Sequence, residues 1–173
     1  MATMVTPTAA SAMLEEFREE VAITRRVLDR IPEGQLTWKP HPKSMTLGQL
    51  AGHIATIPGR ISRWAHQDSF DVLTGSFVPP QPNSREEILA DFEQSVGDAD
   101  QNLAGLSNES LAGPFRLMRG EREIFEQPRA VILRRVMLNH WYHHRGQLSV
   151  YLRLLDVPLP VIYGRSADTD PFA

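Results

Sequence analysis

Asn139-His140-Trp141-Tyr142-His143-His144-Arg145-Gly146-Gln147 sits inside a run, 128–155, whose apolar residues recur at helical spacing. Pro128 suits the first turn of such a helix. At about 100° per residue, counted from His140, Leu133 and Tyr151 fall at about 20°, His144 at about 40°, and Met137 and Leu155 at about 60°. Both histidines therefore lie in the middle of one apolar stripe. His143, at about −60°, is on its flank, and Arg134, Arg145 and Arg153, at about 120–220°, are expected on the solvent side. A helix this long with polar rings on its buried stripe needs other helices to cover it.

Working outward, three more helices can be read. One over 46–65 opens on a capping box, Thr46 with Gln49, and carries His53 on the face of Leu50, Ile57 and Trp64. Gly48, Ala51 and Gly52 are small enough to let a neighbouring helix approach, and Pro58 is expected to kink this helix. The run 8–31 places Ala10, Leu14, Phe17, Val21, Thr24, Leu28 and Ile31 on one seam, stopped by Pro32 and Gly34. The run 84–106 starts at Ser84 with Glu87 and aligns Ile88, Phe92, Val96, Ala99, Leu103 and Leu106. Residues 66–83 and 107–126 read as loops, the second with short extended pieces around Phe115–Met118 and Glu123–Phe125. An irregular tail covers 156–173. The expectation is one domain, 1–173, of all-α class, a four-helix bundle whose long loops permit a crossover.

Composition narrows the function. The chain has 173 residues, 42% hydrophobic and 23% charged, with 18 basic against 21 acidic side chains. That balance lacks the basic excess of a nucleic-acid-binding surface. There is no cysteine, so any metal must be held by His, Asp or Glu. The stretch MATMVTPTAASAM lacks the basic and apolar parts of a leader, and no run reaches the roughly 20 apolar residues of a membrane span. The expected compartment is the cytoplasm.

The histidines carry the chemistry. His140 and His144 at i, i+4 stack their imidazoles on one helix face, and His53 adds a third. His140 with His143 at i, i+3 is the rival pair, and the stripe favours His144. No glutamate stands between them as in zinc proteases. Three neutral imidazoles suit zinc, nickel, copper or iron(II) and leave a position for water, thiol or substrate. Arg60, two turns beyond His53, could anchor a substrate carboxylate or pair with an acidic neighbour. Gln147 and Tyr151 flank the histidines and could orient a ring or ligand, Tyr151 alternatively packing the core. Trp38 reads as a pocket mouth or a structural plug. No Ser-His-Asp set, cysteine nucleophile or glycine-rich phosphate loop is present, so no catalytic base or nucleophile is named.

At these residues the sequence resembles the DinB family, also called the DinB/YfiT-like metalloenzymes. The resemblance rests on Thr46-Leu47-Gly48-Gln49-Leu50-Ala51-Gly52-His53-Ile54-Ala55 and on His140-Trp141-Tyr142-His143-His144-Arg145-Gly146-Gln147-Leu148. Trp38-Lys39-Pro40 and Tyr163-Gly164-Arg165-Ser166-Ala167-Asp168 support it. It implies an up-down-down-up four-helix bundle, a homodimer in many members, and a nickel or zinc ion on His53, His140 and His144. It also implies a metal-dependent S-transferase or isomerase that uses a low-molecular-weight thiol such as bacillithiol or mycothiol on a small-molecule substrate. The family name records damage inducibility, so a stress-response role is an expectation too. A metal-dependent hydrolase and a metal-stabilised, non-catalytic binding module are the alternatives.

Overall fold

The computed structural model describes residues 8–75 and 78–170. Residues 1–7 of the stretch MATMVTPTAASAM, and 171–173 of the tail, lie outside the described residues. Four long helical segments dominate: α1 Ala9–Leu28, α2 Leu47–Ser62, α3 Arg85–Ala104, and a last one built in three parts. A short α4, Asn108–Ala112, follows α3. The last segment begins as α5, Arg129–Ile132, passes through a π-helical stretch, Leu133–Asn139, and ends as α6, His140–Leu154. α1 packs on α3 and α6, and α2 packs on α3, α6 and the π-helical stretch.

The caps explain where the helices start. Thr46 Oγ1 accepts from the Gln49 N–H at 3.1 Å, while Gln49 Oε1 accepts from the Thr46 N–H at 3.1 Å, which completes the box. The second predicted box is half formed. Ser84 Oγ accepts from the Glu87 N–H, but the Glu87 carboxylate reaches one residue further back, to the Asn83 N–H.

Trp141 is fully buried at the centre of the core, 5.7 Å from the Phe17 ring and 6.4 Å from Phe92. Its position also answers the expected weakness at Pro58. Proline has no N–H to give the Ile54 carbonyl four residues back. The Trp141 indole N–H donates to that carbonyl instead, at 2.9 Å. α2 therefore continues through Pro58 to Ser62 and runs on as a 3₁₀ turn, Arg63–His66. One residue on, Gly59 donates its N–H to Ser95 Oγ at 2.8 Å, and a Cβ there would lie 2.8 Å from the Ser95 carbonyl oxygen. Only glycine lets α2 and α3 meet this closely.

Three expectations are corrected. The fold is predominantly helical but not all-α: a three-stranded sheet joins β1 Ser69–Asp71, β2 Pro114–Arg119 and β3 Arg122–Pro128. The extended pieces read in 107–126 form the antiparallel β2–β3 hairpin, with Gly120 at φ +59° in its turn. β1 pairs parallel with β2, Phe70 opposite Leu117; three residues are too few to leave a periodic trace. Second, Arg145 is not on the solvent side. Its side chain is 2% exposed and meets Glu20 of α1 at 2.5 Å. The tail folds back over that side of α6, and Tyr163 bonds both Arg145 and Glu20. Third, no helix approaches Gly48. A Cβ there would meet Gln81 Nε2 and the Leu36 carbonyl oxygen, and Gly52 faces Pro82, so the small residues admit two loops. Among the described residues, no helix is long and apolar enough to cross a membrane.

Candidate metal centre

α2 and α6 bring His53, His140 and His144 together. One ring nitrogen from each lies within 4.8 Å of the others, and all three residues are half-buried. Ring centroids are 5.2 Å apart for His53–His140, 4.6 Å for His53–His144 and 4.5 Å for His140–His144. His140 Nε2 and His144 Nε2 face each other at 2.8 Å. His143 is exposed, with its ring 5.0 Å from His144 and outside the cluster. The π-helical stretch ends at Asn139, the residue before His140. Such stretches cost hydrogen-bond quality and recur at functional sites.

The hydrogen bonds determine which nitrogens are free. His144 Nδ1 lies 2.7 Å from Gln147 Oε1, which can only accept, so Nδ1 carries the proton and Nε2 keeps its lone pair. In the protein alone, His140 Nε2 must then donate to His144 Nε2. That tautomer strips the proton from His140 Nδ1, which is buried without a hydrogen-bond partner. With His140 Nε2 given to a metal ion instead, its proton would sit on Nδ1. The Val136 backbone one turn back raises the pKa of that ring against the effect of burial, but its geometry falls short of a hydrogen bond to Nδ1. The donor set thus fits a divalent ion better than it fits itself.

Electrostatics favour the neutral, ligating form. Burial, then His144, His140 and Arg60, pushes the His53 pKa down to about 3. Burial is also the largest cause of the lowered His140 pKa, with Arg60 and His143 adding to it. His144 is lowered by burial against the opposing bond to Gln147.

A cavity of about 370 Å³ opens directly on the cluster, lined by His53, His140, Arg60, Ile61, Trp64, Phe70, Gly75 and Val136. The sheet builds its wall: Phe70 of β1 stacks on Trp64 at 4.5 Å, and Phe115 of β2 supports the same ring at 5.6 Å. Arg60 is exposed by area, yet enough protein surrounds it to lower its pKa through desolvation. The exposure decides its state, and a guanidinium stays charged at neutral pH.

The remaining sequence candidates divide. Gln147 contacts His144, as above. Tyr151 and Trp38 pack edge to face at 5.7 Å, and the Tyr151 hydroxyl donates to the Met45 carbonyl at 3.3 Å. Neither lines the cavity, so both act as packing. Ile61, Trp64, Phe70 and Val136 were not singled out as pocket residues. Ile61 and Trp64 share the His53 face of the helix and could have been proposed from it. Phe70 arrives through the parallel strand pairing, which leaves no local signal.

Residues 1–170 match the family described as DinB. Two solved structures share the fold. A DinB-like protein from Bacillus cereus ATCC 10987 is 22% identical, with a TM-score of 0.69 over 87% of this chain and 95% of that one. A DinB-like protein from Bacillus subtilis is 18% identical, with a TM-score of 0.69 over 90% of this chain and 99% of that one. None of the curated proteins compared with the sequence matches it.

Proposed function

This chain belongs to the DinB family, and from that premise we propose that it is a metal-dependent enzyme acting on a small molecule, best read as a thiol-dependent S-transferase. The observation that carries the reading is the convergence of His53, His140 and His144 beside an open cavity. Three side chains and a cavity are the signature of a catalytic site, whereas a structural site closes on a fourth protein ligand. The same cavity argues against the non-catalytic binding module. Nickel or zinc suits three neutral imidazoles. When bound, such an ion supplies a Lewis acid that favours the thiolate form of a coordinated thiol.

The chain's own residues do the rest. Gln147 holds His144 in the ligating tautomer. Ile61, Trp64, Phe70 and Val136 exclude water from one side of the site. Arg60 brings a positive charge to the cavity wall. The bundle follows the up-down-down-up order of the family, works as a homodimer, and resides in the cytoplasm, with a role in stress response. Metal analysis of the purified protein against the His53→Ala/His144→Ala double variant tests the centre. Equal metal content in both would end the metal reading. Conjugation of bacillithiol or mycothiol to small electrophiles, with and without chelator, tests the transferase; a rate indifferent to chelator would remove it.

A further inference from the structure

Arg60 is a cation on the wall of a cavity otherwise lined by apolar residues, Gly75 and two of the clustered histidines. Among the described residues, it makes no hydrogen bond or ion pair, whereas Arg63, one turn on, bonds the Gly59 carbonyl and lies 3.9 Å from Asp98. Arg60 also borders a shallow outer groove with Asp91 and Asp98, but it pairs with neither. It lines the cavity together with His53 and His140. The same cavity is lined by Ile61, Trp64, Phe70 and Val136, and the Trp64 ring stacks with Phe70 at 4.5 Å and with Phe115 at 5.6 Å. The volume, about 370 Å³, lies at the small end of ligand pockets, which run from roughly 300 to 1,000 Å³.

We propose that this cavity takes a small carboxylate with an apolar body, its anion bound by Arg60 and its apolar part against the Ile61, Trp64, Phe70 and Val136 lining, beside the histidine cluster. A guanidinium offers two parallel N–H donors to a carboxylate, and Arg60 lines this cavity with no protein partner for them among the described residues. The apolar lining suits an apolar body, and the volume excludes a large one. The inference rests on the metal-enzyme reading for the chemistry that follows, but not for the binding itself.

Calorimetric titration with 3-phenylpropionate and its amide, 3-phenylpropanamide, tests it on chelated and on zinc-loaded protein. The acid is expected to bind chelated protein about tenfold more tightly than the amide. Arg60→Gln removes that preference and leaves the amide unchanged, and Arg60→Lys keeps part of it. Trp64→Ala weakens both ligands. Thermal unfolding of each variant confirms that it is folded. Failure of the acid to bind, equal affinities, or a preference that survives Arg60→Gln overturns the proposal; so does a preference that appears only with zinc and ignores Arg60, because the carboxylate then sits on the ion. Zinc content measured on the same samples separates the two readings. Protein that discriminates acid from amide but retains no zinc loses the metal centre and keeps this site, and the reverse result does the opposite.

Discussion

His144 and Arg145 are neighbours in the sequence and open onto two polar clusters of opposite character. Arg145 enters a cluster that satisfies itself. It meets Glu20 at 2.5 Å, donates to Thr24 Oγ1 at 3.0 Å, and lies against the Tyr142 and Tyr163 rings at 5.3 and 5.1 Å. His144 enters a cluster that cannot. It faces His140 across 2.8 Å, leaves His140 Nδ1 buried without a partner, and opens on a cavity. Both clusters desolvate polar groups, and both tie α6 to another helix. The difference is that the first needs nothing from outside the chain, while the second holds donors that a cation would complete. Unmet polar demand therefore marks the functional side of this helix better than burial or charge does.

The comparison is broken most forcefully on the arginine side. Arg145→Met leaves the Glu20 carboxylate buried without a cation, held only by the Tyr163 hydroxyl, which is expected to cost about 3–5 kcal/mol of folding stability. Metal content of the folded fraction should not change. Pairing it with Glu20→Leu removes the stranded charge and should restore most of the loss, since apolar replacement of a whole buried pair is often neutral. Urea unfolding of the two variants checks this. Equal losses in single and double variants would show that the pair is not the stabilising unit.

The histidine side should respond in the opposite currency. His140→Ala deletes a metal ligand together with the unpartnered Nδ1, so metal affinity is expected to fall by more than about a hundredfold. Stability of the metal-free protein should move by less than about 1 kcal/mol, because the removed ring was poorly satisfied. Competition with a chromogenic chelator measures the first and urea unfolding the second. A large stability loss with unchanged affinity would make the triad a structural cluster like that of Arg145. Gln147→Ala is a milder probe. It frees the His144 tautomer without touching a ligand, for an expected loss of about 10–100-fold in metal affinity. Gln147→Glu, which keeps an acceptor at Oε, should recover most of it; no recovery would assign Gln147 some role other than holding Nδ1–H.

These two clusters also show what could be read in the sequence. The histidines were legible because their signal is local: spacing of four on one helix, and a third on the apolar face of another. The long helices were legible from periodicity and from Thr46, Ser84 and Pro128 at their starts. Arg145 was misplaced because a helical wheel assumes that one face of α6 is wet. Here α1 and the returning tail cover that face, and Tyr163 and Asp168 pin the tail to Arg145 and Arg153. The parallel pairing of β1 with β2 joins residues far apart in the chain, so the wall contributed by Phe70 had no local trace. The π-helical stretch before His140 was equally silent, since its extra residue per turn shifts the wheel without changing which residue types are apolar.

The smallest expected effect concerns acid. His53 titrates at about 3 in the fold, well below the ordinary value near 6.5. The unfolded chain therefore takes up this proton at a higher pH than the folded chain does, and stability falls as protons are added. The His53 contribution is complete above about pH 6.5 and is lost progressively as the pH drops toward about 3. His53 is only half-buried, so between pH 6.5 and 5.5 the loss should stay under about 1 kcal/mol after solvent screening. Carboxylates and the other histidines also respond to acid, and a His53→Gln variant removes them from the comparison. Urea unfolding of metal-free protein at the two pH values should give a larger drop for the native chain than for the variant. Metal should enlarge that difference, because bound ion and proton compete for the same nitrogen. Identical drops with and without His53 would mean that its ring is as well solvated as an ordinary surface histidine, and the contrast with the Arg145 cluster would then rest on His140 and His144 alone.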